Sequence, residues 1–354
     1  MEINGKKLLA GLFSNEIAEV IQRYGEKPFR AKQVQQAVNK GWEPDEMHYL
    51  PGSLRALLAK EYITSGVKIT NSYVSALDGT EKYLYSLYDG NLIEGVLMRY
   101  KYGSTLCVST QVGCRMGCSF CASTLEGCVR NLAAGEMLGQ VLAANKRLSE
   151  QDAEDRVHNI VLIGSGEPLD NYDEVIRFLR LVNQKDGLNI SERNISLSTC
   201  GIVPKMYALA EEGLPVTLCV SLHAPNDDIR RQIMPIAKAY SINEIVKACR
   251  NYIRKTGRRV IFEYALVDNV NCSTDNAVEL ASLLRGMQCH VNVIPLNSVK
   301  ERNLNTPAES TTNKFIEALK NEHISVTRRR EMGDDIQGAC GQLRRSHIEE
   351  EQHK

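Results

Sequence analysis

Apolar positions change their period twice along the chain, and each change marks a new kind of element. Over the first 65 residues, "NEIAEVIQRYG", "RAKQVQQAVNKG" and "PGSLRALLAKEY" carry apolar residues at helical spacing and are separated by Gly and Pro. They predict a helical N-terminal module over residues 1–66. The stretch "VKITNSYVSALDGTEKYLYSLYDGNLIEGVLMRY" then alternates, is rich in Val, Tyr and Thr, and contains two Asp-Gly turn signals. It predicts a short antiparallel β extension over residues 67–99.

From residue 105 the strand-like runs are "TLCVSTQ", "NIVLIGSG", "NISLSTCG", "PVTLCVSLHA", "RVIFEYALV" and "HVNVIPLN". Helical stretches such as "AAGEMLGQVLAANKRLSE" and "DEVIRFLRLVNQ" lie between most of them. Strands alternating with helices predict an α/β fold, a parallel sheet with right-handed crossovers. Chemistry in such folds sits at the carboxyl ends of the strands. Here those ends read "STQVGC", "GSGEP", "STCG", "SLHAP" and "PLN", so polar and glycine residues from separate segments fall on one rim.

A chain of 354 residues suits one large domain with a small one. Lys+Arg and Asp+Glu both number 43, so overall charge does not attract a polyanion, and any nucleic-acid surface must be local. "RNYIRKTGRRV", "TRRRE" and "QLRRSH" are basic runs, of a kind that equally describes solvated faces. No apolar run approaches the roughly 20 residues that cross a bilayer, and the N-terminus has no sustained apolar region, so the expectation is a cytoplasmic protein with no membrane partner. Eleven cysteines are then not a disulfide framework. Cys200, Cys219, Cys249, Cys272 and Cys289 read as small core or surface residues. The acidic end "IEEEQHK", within a tail over 344–354, reads as disordered.

Cys114, Cys118 and Cys121 stand apart from these, in "VGCRMGCSFCAS". Their C-x3-C-x2-C spacing admits three readings. Zinc favours four ligands in paired motifs, and only Cys128 or Cys107 could complete the set. A redox pair would use Cys118 and Cys121 and waste Cys114. An iron–sulfur cluster on three thiolates leaves one iron open to a ligand.

The triplet follows the first strand of the alternating region, with Phe120 just before its last cysteine, and so resembles the radical S-adenosylmethionine superfamily. "CVSTQVGCRMGCSFCAS", "RNL", "GSGEPLDNYDEV", "LSTCG", "SLHAPND", "MPI" and "GDDIQGACGQL" together resemble the RlmN/Cfr family of RNA-modifying enzymes, from about residue 20 to residue 343. Many relatives carry Met where this chain has Ser165. The resemblance implies a partial (β/α)6 radical SAM barrel over residues 100–343 with a helix-hairpin-helix-like accessory module. It also implies a 4Fe-4S cluster on Cys114, Cys118 and Cys121, and two S-adenosylmethionine molecules per turnover. Gly166, Glu167, Ser198, Ser221, Leu222, His223 and Asn297 match the family's cofactor contacts.

The same resemblance assigns the chemistry. The product would be adenine methylated at carbon 2, within the peptidyl-transferase loop of 23S rRNA, with the adenine beside the tRNA anticodon as a second target. Carbon 8 of the same rRNA adenine is the sister activity, and a zinc-stabilised RNA-binding protein without catalysis is the alternative outside enzymes. Cys340 would carry the methyl group, Cys107 would release the product by forming a transient disulfide with Cys340, and Glu94 would accept a proton. The implied partners are 23S rRNA, tRNA as a second RNA, and a flavodoxin or ferredoxin as electron donor, with the protein acting as a monomer.

Overall fold

The computed structural model describes residues 2–3, 5–296 and 304–336. Asn297, Cys340, "QLRRSH" and the 344–354 tail lie outside the described residues.

Three helices occupy the N-terminal third of the expected plan: α1 (Ser14–Arg23), α2 (Phe29–Asn39) and α3 (Gly52–Glu61). Helix α1 starts where the Glu16 carboxylate accepts the Phe13 N–H at 2.7 Å, and it turns Ile17, Val20 and Ile21 inward. Three antiparallel strands follow, β1 (Val67–Val74), β2 (Glu81–Leu87) and β3 (Leu92–Tyr100). Their alternation puts Tyr83, Tyr85, Ile93 and Leu97 in the core.

The barrel strands are β4 (Gly103–Cys107), β5 (Val157–Leu162), β6 (Ile195–Thr199), β7 (Thr217–Ser221), β8 (Val260–Ala265), β9 (Cys289–Ile294) and β10 (Val326–Arg328). Spatial order equals chain order across one ten-stranded sheet. Every pair from β4 to β10 is parallel, and β3 meets β4 antiparallel. The β extension is therefore the edge of the barrel sheet itself. The crossovers are α4 (Ala134–Gln151), α5 (Tyr172–Val182), α6 (Val203–Glu211), then α7 (Asp227–Ile233) with α8 (Ile242–Thr256), α9 (Thr274–Leu284) and α10 (Glu309–Asn321).

All six expected barrel strands form. The seventh, β10, has three residues, too few for a period to show. The same shortness hides the small sheet that pairs residues 2–3, 6–8 and 62–63 around the helical module. That module has no core of its own. Leu9, Ile17 and Ile21 belong to the same apolar cluster as Phe178, Val220 and Phe315. Polar contacts fasten it to α5 and the loop beyond: Arg177 Nε donates to Gly11 O at 2.9 Å, and Asn39 Nδ2 donates to Asp186 O at 2.7 Å. Among the described residues, no helix is long and apolar enough to cross a membrane.

Candidate active site at the barrel rim

The segment after β4 is tied to the glycine turn after β5 through backbone atoms. Ser109 Oγ accepts the Ser165 N–H at 2.9 Å and donates to Glu94 O at 2.7 Å. Thr110 N and Gln111 N both donate to Ser165 O, at 2.9 and 3.1 Å. Gly166 lies flat against this edge with φ of 108°, and a Cβ there would sit 2.7 Å from Gln111 N. Residue 165 works here through its main chain, so Ser in place of Met leaves the turn intact.

Glu167 is buried, and its carboxylate is already engaged. It accepts the Leu169 N–H at 3.0 Å and the Cys200 N–H at 2.7 Å. Burial pushes this carboxyl up from the usual range, against those two donors. Cys200 is thus part of the rim rather than a bystander in the core, and it lines the same cavity.

The three clustered cysteines hang on a hairpin of Gln111–Gly113 with Cys128–Asn131. The hairpin requires Gly113: its φ is 75°, and a Cβ would fall 2.0 Å from Gly127 O. Cys114 N donates to Gly127 O at 2.8 Å, Thr124 Oγ1 donates to Cys121 O at 2.9 Å, and Ser119 N donates to Ile233 O at 2.9 Å. Arg115, to which the sequence assigned no role, forks onto Asp170 through Nε at 2.8 Å and Nη2 at 2.6 Å. It pins the cysteine loop to the turn that follows Glu167.

Cys114, Cys118 and Cys121 line one cavity together with Gly166, Glu167 and Ser198. Burial pushes the Cys114 thiol up to about 12 and raises Cys118 as well, with the neighbouring thiols adding to both. Bare thiols are disfavoured as thiolates in that wall, and a bound metal inverts the preference. Among the described residues, no three His, Cys, Asp or Glu side chains converge as single-ion ligands. Three thiols lining one cavity match the donor set of a 4Fe-4S cluster, which these residues would hold.

A polar wall of the same cavity carries Ser198, Ser221, His223 and two residues that the sequence reading missed, Glu263 and Arg329. Ser198 Oγ and Ser221 Oγ both donate to Glu263 Oε2, at 3.0 and 3.4 Å, and Arg329 Nη1 stands 3.9 Å from Glu263 Oε1. Glu263 sits mid-strand in "VIFEYA", and a charged residue inside an apolar strand was the available signal. His223 has φ of 56°, its Nδ1 accepts the Ala265 N–H at 2.9 Å, and its ring meets the edge of Phe120 at 4.7 Å. Burial pushes its imidazole down to about 3. Leu222 belongs to the hydrophobic core beneath this wall.

Glu94 and Cys107 lie on the neighbouring strands β3 and β4. Cys107 pairs with Val96 and packs against Met98, Val161 and Ile163, the last of which reaches the cavity. Glu94 is buried, with Lys82 Nζ 3.3 Å from its Oε2. None of the ten described cysteines is in a disulfide. The "RNYIRKTGRRV" run spans the end of α8 and the start of β8, at the far end of the barrel from this rim.

A seven-stranded parallel barrel sheet whose rim gathers three cysteines, a glycine turn and a polar wall defines a radical S-adenosylmethionine enzyme. The Radical SAM superfamily model matches residues 108–281. A radical SAM methyltransferase from Sphaerobacter thermophilus superposes with a TM-score of 0.90 at 43% identity, covering 95% of this chain and 98% of that one. Within that class, the "Probable dual-specificity RNA methyltransferase RlmN" of Alkaliphilus oremlandii is 52% identical, covering 96% of this chain and 98% of its own. That of Clostridium novyi is 50% identical over 94% of this chain and 96% of its own. The chain belongs to the RlmN family.

Proposed function

We propose that this protein methylates carbon 2 of an adenine in the peptidyl-transferase loop of 23S rRNA, and the adenine beside the anticodon of tRNA. The observation that carries the reading is a three-thiol cavity whose lining residue Ile163 shares a cluster with Cys107, in a chain 52% identical to an RlmN relative over 342 residues. Carbon 2 lies between two ring nitrogens and is too electron-poor to attack a methyl sulfonium as a nucleophile. Radical addition avoids that difficulty.

Cys114, Cys118 and Cys121 hold the 4Fe-4S cluster, which when bound supplies the electron that cleaves S-adenosylmethionine reductively. Two S-adenosylmethionine molecules are used per turnover, one as methyl donor and one as radical source. Gly166 and the turn around it hold the amino-acid end of the cofactor, with Asn297 as a further contact. Ser198, Ser221, Leu222 and His223 are the further cofactor contacts, with Glu167 beside them. Glu167 organises the turn by accepting the Leu169 and Cys200 N–H groups. Cys340 carries the methyl group to the adenine. Glu94 takes the proton that leaves carbon 2, with its carboxylate oriented by Lys82. Once the adduct has also given up its unpaired electron to the electron carrier, the Cys107 thiolate attacks the Cys340 sulfur. The disulfide forms as the sulfur–carbon bond breaks, the departing carbon keeps the bonding pair and takes a proton to become the methyl group, and an external thiol reduces the disulfide.

The protein acts in the cytoplasm as a monomer, its electron donor a flavodoxin or ferredoxin, and the N-terminal helical module contacts the RNA backbone. The test is nucleoside mass analysis of 23S rRNA and tRNA after anaerobic reaction. The expected product is 2-methyladenosine in both. 8-Methyladenosine instead, or unmodified RNA with iron-loaded protein, overturns the assignment.

A further inference from the structure

Arg230, in α7, is fully buried directly behind the cysteine loop. Its Nε donates to Leu222 O at 3.1 Å, and its Nη2 donates to Cys200 O at 2.6 Å and to Ser221 O at 3.3 Å. Nη1 has no hydrogen-bond partner among the described residues, although it carries two of the five donors of the guanidinium. Among the described residues no carboxylate stands at contact distance from it, and Asp227 on the same helix acts on it only at longer range. A buried cation satisfied only by backbone carbonyls is costly, and it calls for an anion nearby.

The local groups point to where that anion belongs. Arg230 Nη2 holds the carbonyl of Cys200, and Cys200 packs beside Cys118. One turn further along α7, Ile233 O accepts the Ser119 N–H, fixing the helix against the Cys118–Cys121 segment at 2.9 Å. Cys118, Cys200, Ile233 and Met234 form one packed cluster. A cage held by three thiolates is anionic, and one-electron reduction by a low-potential donor adds a further negative charge with no bond broken.

We infer that Arg230 is the fixed counter-charge of the iron–sulfur cluster: it raises the cluster's reduction potential, and its Nη1 is reserved for a sulfur on the Cys118 side. Net charge and hydrogen bonds to sulfur are the protein's main means of setting such potentials. Arg230 is a positioning and tuning residue: it is fully buried and reaches the site through the backbone carbonyls of Cys200, Ser221 and Leu222. The inference rests on reading the three cysteines as cluster ligands.

The experiment is a redox titration of the reconstituted, S-adenosylmethionine-free protein followed by electron paramagnetic resonance, with iron and sulfide assayed on each sample. Arg230→Gln is expected to keep its iron while its midpoint moves to more negative values. Arg230→Lys keeps the charge and is expected to fall between Arg230→Gln and wild type. Arg231→Gln removes a charge from the exposed side of the same helix, where Arg231 pairs with Asp228 at 2.9 Å, and should leave the midpoint unmoved. An unchanged midpoint in iron-replete Arg230→Gln overturns the inference. If that variant holds no cluster, wild-type protein with isotopically labelled guanidinium nitrogens decides. Hyperfine coupling to the reduced cluster that survives Arg115→Gln supports the inference, and its absence overturns it. Wild-type protein that takes up no iron instead defeats the cluster reading itself.

Discussion

The same residue type takes opposite roles in this chain, according to what surrounds it. Cys219 and Cys249 are buried core residues, whereas Cys118, equally enclosed, faces a cavity shared with two other thiols. Cys118→Ala is expected to lose nearly all iron while its far-ultraviolet dichroism stays that of wild type, because the loop lies on the rim and supports no strand. Full iron content in that variant would remove Cys118 from the ligand set. Cys107 and Cys340 should fail in different ways. Cys107→Ala should stall with RNA covalently attached to the protein, and Cys340→Ala should yield free, unmodified RNA and no adduct. Denaturing gels of the two reactions check this. His223 offers a pH test. Its folded value of about 3 lies below the unfolded value of about 6.5, so between them the unfolded chain binds a proton that the native one refuses. Stability should therefore fall as pH drops below about 6.5, by at most about 1.4 kcal/mol per pH unit. In His223→Asn the amide oxygen can still accept the Ala265 N–H, and thermal melts should show a shallower slope over the same range.

Among the elements, the turn after β5 and the segment after β4 act as one unit. Glu167 N donates to Gln111 Oε1 at 2.9 Å, and the Ser165 carbonyl takes two donors from the facing segment. This leaves no room at Gly166. Gly166→Ala forces a side chain into a left-handed backbone at a close contact, a strain of about 1–3 kcal/mol. S-Adenosylmethionine affinity should drop about tenfold or more, read by equilibrium binding, with iron content retained. Unaltered affinity would mean that the turn does not shape the cofactor site. The rim turns were legible because five strand ends carried Gly or polar residues where strands usually continue apolar. Which atoms they use was not legible. Glu167 lines the cavity, and its oxygens also cap a short helix and hold the Cys200 N–H, partners that no local pattern names.

For the whole molecule, the helical module and barrel share one apolar cluster. Each large side chain in it contributes roughly 1.5–3 kcal/mol by leaving water. Deleting residues 1–66 should therefore yield a chain that aggregates or lacks a cooperative melt. A soluble remainder with an intact transition would make the module an independent domain. The continuity of the sheet argues the same way, since β1 to β3 extend the barrel from β4 without a break.

The order of elements, six of the barrel strands, the shared rim and the cysteine triplet are all legible in the sequence. Period and turn chemistry are local, and each of these features is encoded within a dozen neighbouring residues. The remaining features come from packing. Glu263 meets Ser198 across 65 positions of chain, Arg115 meets Asp170 across 55, and Lys82 sits against Glu94 on the adjacent strand. Strand β10 exists because β9 offers it an edge. Arg230 looks like one more surface charge in "DDIRRQI", and only packing buries it while leaving Arg231 in water. These partners lie far apart along the chain, and no pattern within a segment specifies which distant backbone will fold against it.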